Sequence, residues 1–236
     1  MAQLILFAVS LLVVSVAAQQ PGKQTPEVHP ALTSWKCTKA GGCKMLNTSV
    51  VLDSQYRWLH NVDGYTNCYR NGFDKTYCPD AETCGKNCAV EGVDYASYGI
   101  STKGDALTLN LFTQKNGAWS KSSPRVYLLA NDTAYNMFSL LNQEFTFDVE
   151  TQGVPCGVNA ALYFSEMDVN GSAGPGNAAG AKYGTGYCDA QCPTNNFVNG
   201  MVCLTFSYWL QLEYFQKRKQ NFKKLLYNFG RTKQIS

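Results

Sequence analysis

The chain has 236 residues, a formal net charge of +3, ten cysteines and two histidines. The charge averages two unlike segments, because residues 19–200 hold 13 of the 20 Lys and Arg with 16 of the 17 acids, whereas residues 201–236 hold the other 7 bases and one acid. Residues 19–200 are mildly acidic and rich in aromatic residues, which argues against nucleic acid as a partner. Two histidines and irregular cysteine spacings argue against a zinc site or a Ser-His-Asp triad.

The first predicted element is a cleaved secretory signal, residues 1–18. Residues 4–18 form an apolar stretch that is too short for a membrane span, and the small residues that end it favour cleavage before Gln19. The sequence therefore predicts an extracellular protein with no membrane partner, in which the cysteines are disulfide candidates. Possible glycosylation acceptors in such a protein are Asn47, Asn131 and Asn170.

Residues 19–200 have the pattern of short strands separated by turn residues. Apolar residues occupy every second position, as in the row Leu107, Leu109 and Leu111. No helical period of useful length occurs in this region, so the sequence predicts an all-β, antiparallel β-sandwich with long loops. The alternating segments 105–111 and 144–150 are predicted strands, and the more continuously apolar segments 126–129 and 161–164 are predicted strands with more burial.

Residues 54–60 bring two aromatic residues and an arginine together. On a strand, Tyr56 and Trp58 share one face, and Arg57 lies between them. Aromatic rings stack on the apolar C–H face of glucose, and arginine supplies fixed donors to hydroxyls. Trp58 taken alone fits a core or rim aromatic equally well.

Residues 179–193 form a loop in which two turns of small residues place Tyr187 near Asp189 and Gln191. Glycines in these turns allow a positive φ and a close approach to a ligand. A phenol face, a carboxylate and an amide on such a loop suit a hydroxyl-rich sugar. The alternative for Asp189 is a carboxylate that caps its own loop.

These segments and residues 155–164 resemble the secreted fungal cellulases of glycoside hydrolase family 7, over about residues 26–200. The resemblance implies a jelly-roll, concanavalin-like sandwich whose cleft binds a β-1,4-glucan (cellulose) chain, as a monomer without a cofactor. It directs Asn159 and Tyr163 toward that cleft, although a strand core position is the alternative for Tyr163. The substrate-binding residues predicted in this way are Arg57, Trp58, Asn159, Tyr163, Tyr187, Asp189 and Gln191.

Six cysteines lie within residues 37–88, and sequence alone allows fifteen pairings. The family's partners of Cys156, Cys188 and Cys192 lie in sequence that this chain does not contain, and Cys203 alone cannot satisfy all three. We therefore expect an incomplete domain. The pairs that the resemblance implies are Cys37–Cys43, Cys68–Cys88 and Cys78–Cys84.

Catalysis in the family depends on a Glu-x-Asp-x-x-Glu motif that supplies a nucleophile, a supporting Asp and an acid/base. Two such carboxyls about 5–5.5 Å apart give retention of configuration. Here Glu166 and Asp168 form the first half of the motif, but Gly171 stands where the second Glu belongs. The flanking residues match an earlier strand of the family, so we expect the catalytic carboxylates to be absent from this chain.

The endoglucanase branch of the family fits better than the cellobiohydrolase branch. Residues 19–30 resemble an endoglucanase start, whereas cellobiohydrolases tend to carry an extra N-terminal cysteine paired to one beside Cys88. Residues 19–36 contain no cysteine, and Ala89 follows Cys88. Endo action implies an open cleft that seats the middle of a glucan chain.

Residues 201–236 are aromatic and basic, unlike the sequence before them. One interpretation is an amphipathic helix on a membrane surface. We favour a translated intron, because the codons for Gly200, Met201 and Val202 can contain an intron donor where the resemblance stops. The chain would then comprise the signal, the N-terminal part of a catalytic domain (19–200) and an unrelated tail (201–236) that supplies no replacement strands.

The sequence is compatible with three interpretations. The chain is an endo-β-1,4-glucanase gene product that stops before its catalytic residues, a non-catalytic glucan-binding remnant, or an unfolded product without function.

Overall fold

The computed structural model describes residues 19–150, 153–158, 160–187, 210–211, 224–228 and 232–233. The predictions made for residues 1–18 and for Asn159, Cys188, Asp189, Gln191, Cys192 and Cys203 lie outside these residues.

The described secondary structure consists mainly of strands. In chain order the elements are β1 (Gln20–Pro21), β2 (Ala31–Thr38), β3 (Gly42–Leu52), β4 (Leu59–Asn61), α1 (Ala81–Asn87), β5 (Cys88–Val90), β6 (Ile100–Lys103), β7 (Ala106–Asn110), β8 (Phe112–Lys115), β9 (Ala118–Lys121), β10 (Val126–Asn131), β11 (Ala134–Tyr135), β12 (Asp148–Glu150), β13 (Tyr163–Phe164), β14 (Leu210–Gln211), β15 (Lys224–Asn228) and β16 (Thr232–Lys233).

Two sheets form the body of the sandwich, with strand orders β11-β10-β3-β2-β16 and β12-β15-β7-β6. Leu32 of β2 and Val50 and Leu52 of β3 pack against Ile100 of β6 and Leu107 of β7, and each of these side chains is at most 3% exposed. Burying one such side chain stabilises the fold by about 1.5–3 kcal/mol. The prediction of an all-β sandwich built mainly from antiparallel strands is confirmed.

The first sheet is also covered on its other face. Successive strand residues point to opposite faces, so Val51 faces away from Val50 and Leu52. Val51 packs in a second cluster with Leu129 of β10 and with Ala181. The segment around Ala181 is therefore a third layer, held on the face of β3 opposite the sandwich core.

The observed strands agree with the predicted ones in part. The predicted strands 105–111 and 126–129 correspond to β7 and β10. In the other two, only the ends Asp148–Glu150 and Tyr163–Phe164 pair as strands. Phe145 and Phe147 instead join a cluster of rings with Phe138 and Phe164. Ring packing thus replaces ladder hydrogen bonds in these segments.

A short helix, α1, interrupts the strands and was not predicted. Asp80 caps it, because its carboxylate accepts the backbone N–H of Thr83 at 2.8 Å. With seven residues α1 shows less than two full turns of periodicity, which explains why the pattern was missed. No helix in the described part of the chain has the length and apolar character to cross a membrane.

All three predicted disulfides are confirmed: Cys37–Cys43, Cys68–Cys88 and Cys78–Cys84. The sulfurs of Cys68, Cys78 and Cys88 lie within 4.8 Å of one another. Each is bonded in a disulfide, so none is a thiolate that could bind a metal. Among the described cysteines, Cys156 is free and exposed.

The tail supplies strands, which corrects the expectation that it would not. Strand β15 lies between β7 and β12, with Leu225 opposite Leu109 and Leu226 opposite Glu150. Strand β14 pairs with β13, and β16 runs parallel to β2. The origin of the tail in an intron stays a prediction.

We expect Leu129→Ala to lower the free energy of unfolding by about 2–5 kcal/mol, because Leu129 is 0% exposed and its truncation leaves a cavity. Leu141 is 88% exposed, and the same truncation there should change stability by less than about 0.5 kcal/mol. Urea unfolding of the two purified variants measures both values. Equal losses would contradict the layer assignment.

Candidate functional site

A close backbone contact joins the segment of residues 179–187 to the end of β3. The carbonyl of Gly184 accepts the N–H of Ser54 at 3.0 Å. Gly184 has φ +72°, and a Cβ atom there would lie 2.1 Å from the carbonyl oxygen of Leu52. Only glycine allows this approach, which brings Tyr187 to the sheet.

Arg125 connects the two parts of the predicted site and was missed by the sequence analysis. Its guanidinium carbon lies 4.1 Å from the centre of the Tyr187 ring and 5.9 Å from that of Tyr56. Arg125 Nε donates to the Asp53 carboxylate at 2.7 Å, and Nη2 donates to Gln55 at 3.2 Å. Tyr56 and Tyr187 therefore lie on a common, positively charged side chain.

Tyr187 packs on the outer face of the first sheet rather than into the sandwich core. Its ring centre is 5.9 Å from that of Tyr127, whose hydroxyl donates to Asp53. Tyr127 packs against the Val51 cluster, on the face opposite the sandwich core. Tyr187 is only 8% exposed, so most of its surface is used in this packing.

Trp58 lies in a separate aromatic group. Its indole N–H donates to Asn67, and its ring centre lies 4.2 Å from that of His60 and 6.2 Å from that of Tyr65. The Tyr65 ring is nearly parallel to the indole, at 25°, and Tyr65 is 75% exposed. Tyr65 is a second aromatic surface that the sequence analysis did not select.

The expectation that Tyr56 and Trp58 share a strand face is wrong. Residues Ser54–Tyr56 form a 3₁₀ turn, and β4 begins only at Leu59, so the alternation rule does not apply. Tyr56 remains 37% exposed beside Arg125. Tyr163 on β13 is 39% exposed, which argues against a strand core position for it.

The role predicted for Arg57 as a donor to sugar hydroxyls is corrected. The Arg57 side chain is 0% exposed, and all five of its N–H groups have protein acceptors. Nε donates to the carbonyl of Leu52, and two N–H groups donate to the Glu27 carboxylate at 2.6 and 2.9 Å. The others donate to the carbonyl of Glu91 and the hydroxyl of Tyr95. No donor remains for a ligand.

Glu27 is the buried counter-ion of Arg57. Burial alone raises the pKa of a carboxyl, but hydrogen bonds from Arg57 and His29 outweigh it and lower the pKa of Glu27 to about 2. The Tyr95 hydroxyl donates to the same carboxylate at 2.5 Å, and burial raises the pKa of Tyr95. This pair fixes the backbone between Tyr56 and Trp58.

Glu166 and Asp168 are exposed, and the geometry excludes a glutamate at position 171 in this conformation. A Cβ atom on Gly171 would lie 2.5 Å from the backbone nitrogen of Ala181, and its φ is +67°. Asp168 accepts the hydroxyl of Ser172 at 2.7 Å, as in a local turn. These residues form a turn and not a pair of facing carboxyls.

Comparison with known proteins places these features in context. The family model described as Glycosyl hydrolase family 7 matches residues 21–212. Endoglucanase EG-1 of Hypocrea jecorina is 54% identical over 189 residues, which are 79% of this chain and 41% of that protein. The probable endo-beta-1,4-glucanase celB of Aspergillus clavatus is 55% identical over 188 residues, 78% of this chain and 45% of that protein.

A solved structure gives the same result at the level of the fold. The crystal structure of a cellobiohydrolase from Melanocarpus albomyces, complexed with cellotetraose, superposes with a TM-score of 0.70 at 43% identity. The match covers 78% of this chain and 43% of that one. The chain thus spans less than half the length of these proteins. The family match runs past residue 200, and the division of the chain at that residue stays a prediction.

We expect Arg57→Met to lower the free energy of unfolding by about 3–5 kcal/mol, because it leaves the Glu27 carboxylate buried without its cation. Lys86→Met removes the exposed pair with Glu82, whose side chains are 45% and 75% exposed, and should cost less than about 0.5 kcal/mol. Thermal unfolding of both variants measures the difference.

The pH dependence separates the ion pair from simple packing. The pKa of Glu27 is lowered, so its contribution to stability is complete above the ordinary value of 4.5 and is lost as the pH falls toward about 2. This acid-induced loss should be smaller in Arg57→Met than in the wild type. Parallel stability curves for the two proteins over this range would refute the assignment.

Proposed function

Because the chain belongs to glycosyl hydrolase family 7, we propose that it is the N-terminal part of a secreted endo-β-1,4-glucanase that binds a β-1,4-glucan chain. The observation that carries the proposal is the 54–55% identity to proteins named as endoglucanases. The solved cellobiohydrolase has the same fold, so the fold alone does not distinguish endo from exo action. The complete enzyme would hydrolyse internal glucosidic bonds with retention.

We assign glucan contact to aromatic side chains at the surface and to Arg125. Trp58 with Tyr65 offers one platform, and Tyr163 offers another. Arg125 supplies the donor that Arg57 cannot, because its side chain is 29% exposed. Asn159, Asp189 and Gln191 are proposed as further contacts to sugar hydroxyls. Aromatic faces with convergent polar groups are what a sugar site requires.

Tyr187 and Arg57 have supporting roles in this proposal. Tyr187 is 8% exposed and stacks under Arg125, so it holds the guanidinium and presents a small surface to a ligand. Arg57 fixes the backbone from which Tyr56 and Trp58 project, since its donors end on Leu52, Glu91 and Glu27.

The chain itself is proposed to be inactive. The turn at Glu166 and Asp168 does not present paired carboxyls, and no other Glu-x-Asp-x-x-Glu occurs in the sequence. This favours the second candidate function, a non-catalytic glucan-binding remnant. In either case the proposed partner is a soluble or fibrous β-1,4-glucan outside the cell. We propose that the chain binds it as a monomer, without a cofactor and without binding nucleic acid or a membrane.

We expect no turnover of a soluble cellulose derivative above the no-enzyme rate by the purified secreted chain. Reducing-end release measures this directly. Glu166→Gln is the matched control, because Glu166 is the only glutamate in the sequence that begins a Glu-x-Asp pair. Turnover that Glu166→Gln abolishes would overturn both the proposed inactivity and the turn assignment.

We expect Tyr163→Ala to weaken binding of cellotetraose about two- to tenfold, the effect of one aromatic contact of about 0.5–1.5 kcal/mol. Tyr69→Ala is the control, because Tyr69 is similarly exposed, at 44% against 39%, and packs edge-on against Phe73 and not against a residue of the proposed site. Calorimetric titration measures both affinities. Equal effects of the two substitutions would remove Tyr163 from the site.

A further inference from the structure

His29 lies where three segments of the chain meet. Its side chain is only 4% exposed. Nε2 lies 2.8 Å from the carbonyl oxygen of Lys182 and 3.3 Å from the carboxylate of Glu27. Nδ1 lies 3.3 Å from the carboxylate of Asp132, in the turn between β10 and β11.

Within the described part of the chain, the polar groups beside the ring are the Asp132 and Glu27 carboxylates and the Lys182 carbonyl, and all three are hydrogen-bond acceptors. The Lys182 carbonyl has only lone pairs to offer, and Glu27 is ionised because its pKa is about 2. Asp132 is a carboxylate whose side chain is 79% exposed. A neutral imidazole has a single N–H and cannot donate on both sides, whereas an imidazolium donates from both nitrogens.

The local charges also balance when His29 carries a proton. The Glu27 carboxylate is already paired with the Arg57 guanidinium. A protonated His29 then faces one further carboxylate, Asp132. Burial by itself lowers the pKa of a histidine, but the hydrogen bonds to Glu27 and to the Lys182 carbonyl outweigh it and raise the pKa of His29 above 6.5.

Lys182 begins the segment that leads to Tyr187. It lies in the 3₁₀ turn Ala181–Tyr183, which has no side-chain cap of its own. The turn ends at Gly184, which makes the close contact with Leu52. The bond from His29 therefore restrains the segment just before it crosses the sheet.

We propose that His29 is a positioning residue that works as a protonated clamp: its imidazolium bridges Asp132 and the Lys182 carbonyl and so holds residues 182–187, with Tyr187 under Arg125. The last step, from the position of Tyr187 to glucan affinity, rests on the proposed function. Loss of the Nδ1 proton leaves a lone pair against the Asp132 carboxylate, so the ring loses its anchor on the turn between β10 and β11 and restrains the Lys182 carbonyl less firmly.

The pH dependence of the clamp follows from the raised pKa of His29. Since the pKa of His29 is raised in the folded protein, the clamp contributes fully below 6.5 and is lost as the pH rises through the folded value. The segment should therefore be well held in acid and looser in alkali.

The first test follows the imidazole signals of the two histidines in the chain. In an NMR titration of the full purified chain, the His29 signal should titrate above 6.5 and show a proton on both nitrogens below that point. His29→Gln assigns the signal by its disappearance. A His29 that titrates at or below 6.5 overturns the proposal.

The second test is hydrogen exchange in residues 182–187. Beyond the intrinsic effect of pH, exchange in the wild type should accelerate about tenfold or more through the His29 titration, the factor expected for one lost charge-assisted hydrogen bond. His29→Gln should exchange fast at every pH, and Asp132→Asn should move the transition to lower pH. Asp105→Asn, an exposed acid in another turn, should leave it unchanged. No acceleration in the wild type overturns the clamp.

Cellotetraose affinity then separates the two proposals. Affinity that falls across the His29 titration, and that no longer depends on pH in His29→Gln, supports the positioning role. Affinity that is independent of pH across that titration overturns this role. An absence of cellotetraose binding at any pH, with the titration and exchange as expected, refutes the proposed function and leaves the clamp supported.

Discussion

The buried pair of Glu27 and Arg57 is the constraint on which the site depends. Removing two ions from water costs several kcal/mol per ion unless all of their hydrogen bonds are satisfied. Arg57 meets this condition through Leu52, Glu91 and Tyr95 as well as Glu27. The pair therefore fixes the end of β3, the loop after β5 and the N-terminal segment relative to one another.

A second buried carboxylate holds the same N-terminal segment. Glu91 accepts backbone N–H groups from Lys23, Gln24 and Thr25, and His60 lies 2.9 Å from it. Burial alone would raise the pKa of Glu91, but these hydrogen bonds outweigh it and lower the pKa. The buried carboxylates of Glu27 and Glu91 thus hold the N-terminal segment in place, although residues 23–25 do not pair as a strand.

The sequence predicted what depends on local pattern or on family resemblance. Alternation located β7, an apolar run located β10, and the resemblance supplied the three disulfides. The sequence did not predict the structural role of Arg57. Its partner Glu27 lies 30 residues away, and nothing in the sequence beside Tyr56 and Trp58 indicates this ion pair. Arg125 was missed for the same reason, since Asp53 lies 72 residues before it. The tail strands were missed because their sequence shows no alternation with polar residues.

The covering of β3 on both faces has a consequence for how the chain folds. Among the described strands, the hairpin of β2 and β3 has the longest ladder, from Ala31–Ser49 to Thr38–Gly42, and the Cys37–Cys43 disulfide closes it over six residues. Contacts so close in sequence form with little loss of loop entropy and precede the pairing of distant strands. We therefore expect this hairpin to be the folding nucleus. The sheet of β6 and β7 then docks on one face of β3, and the segment around Ala181 docks on the other. The segment with Tyr187 joins later than the hairpin, because its contacts with β3 connect residues as distant along the chain as Ser54 and Gly184.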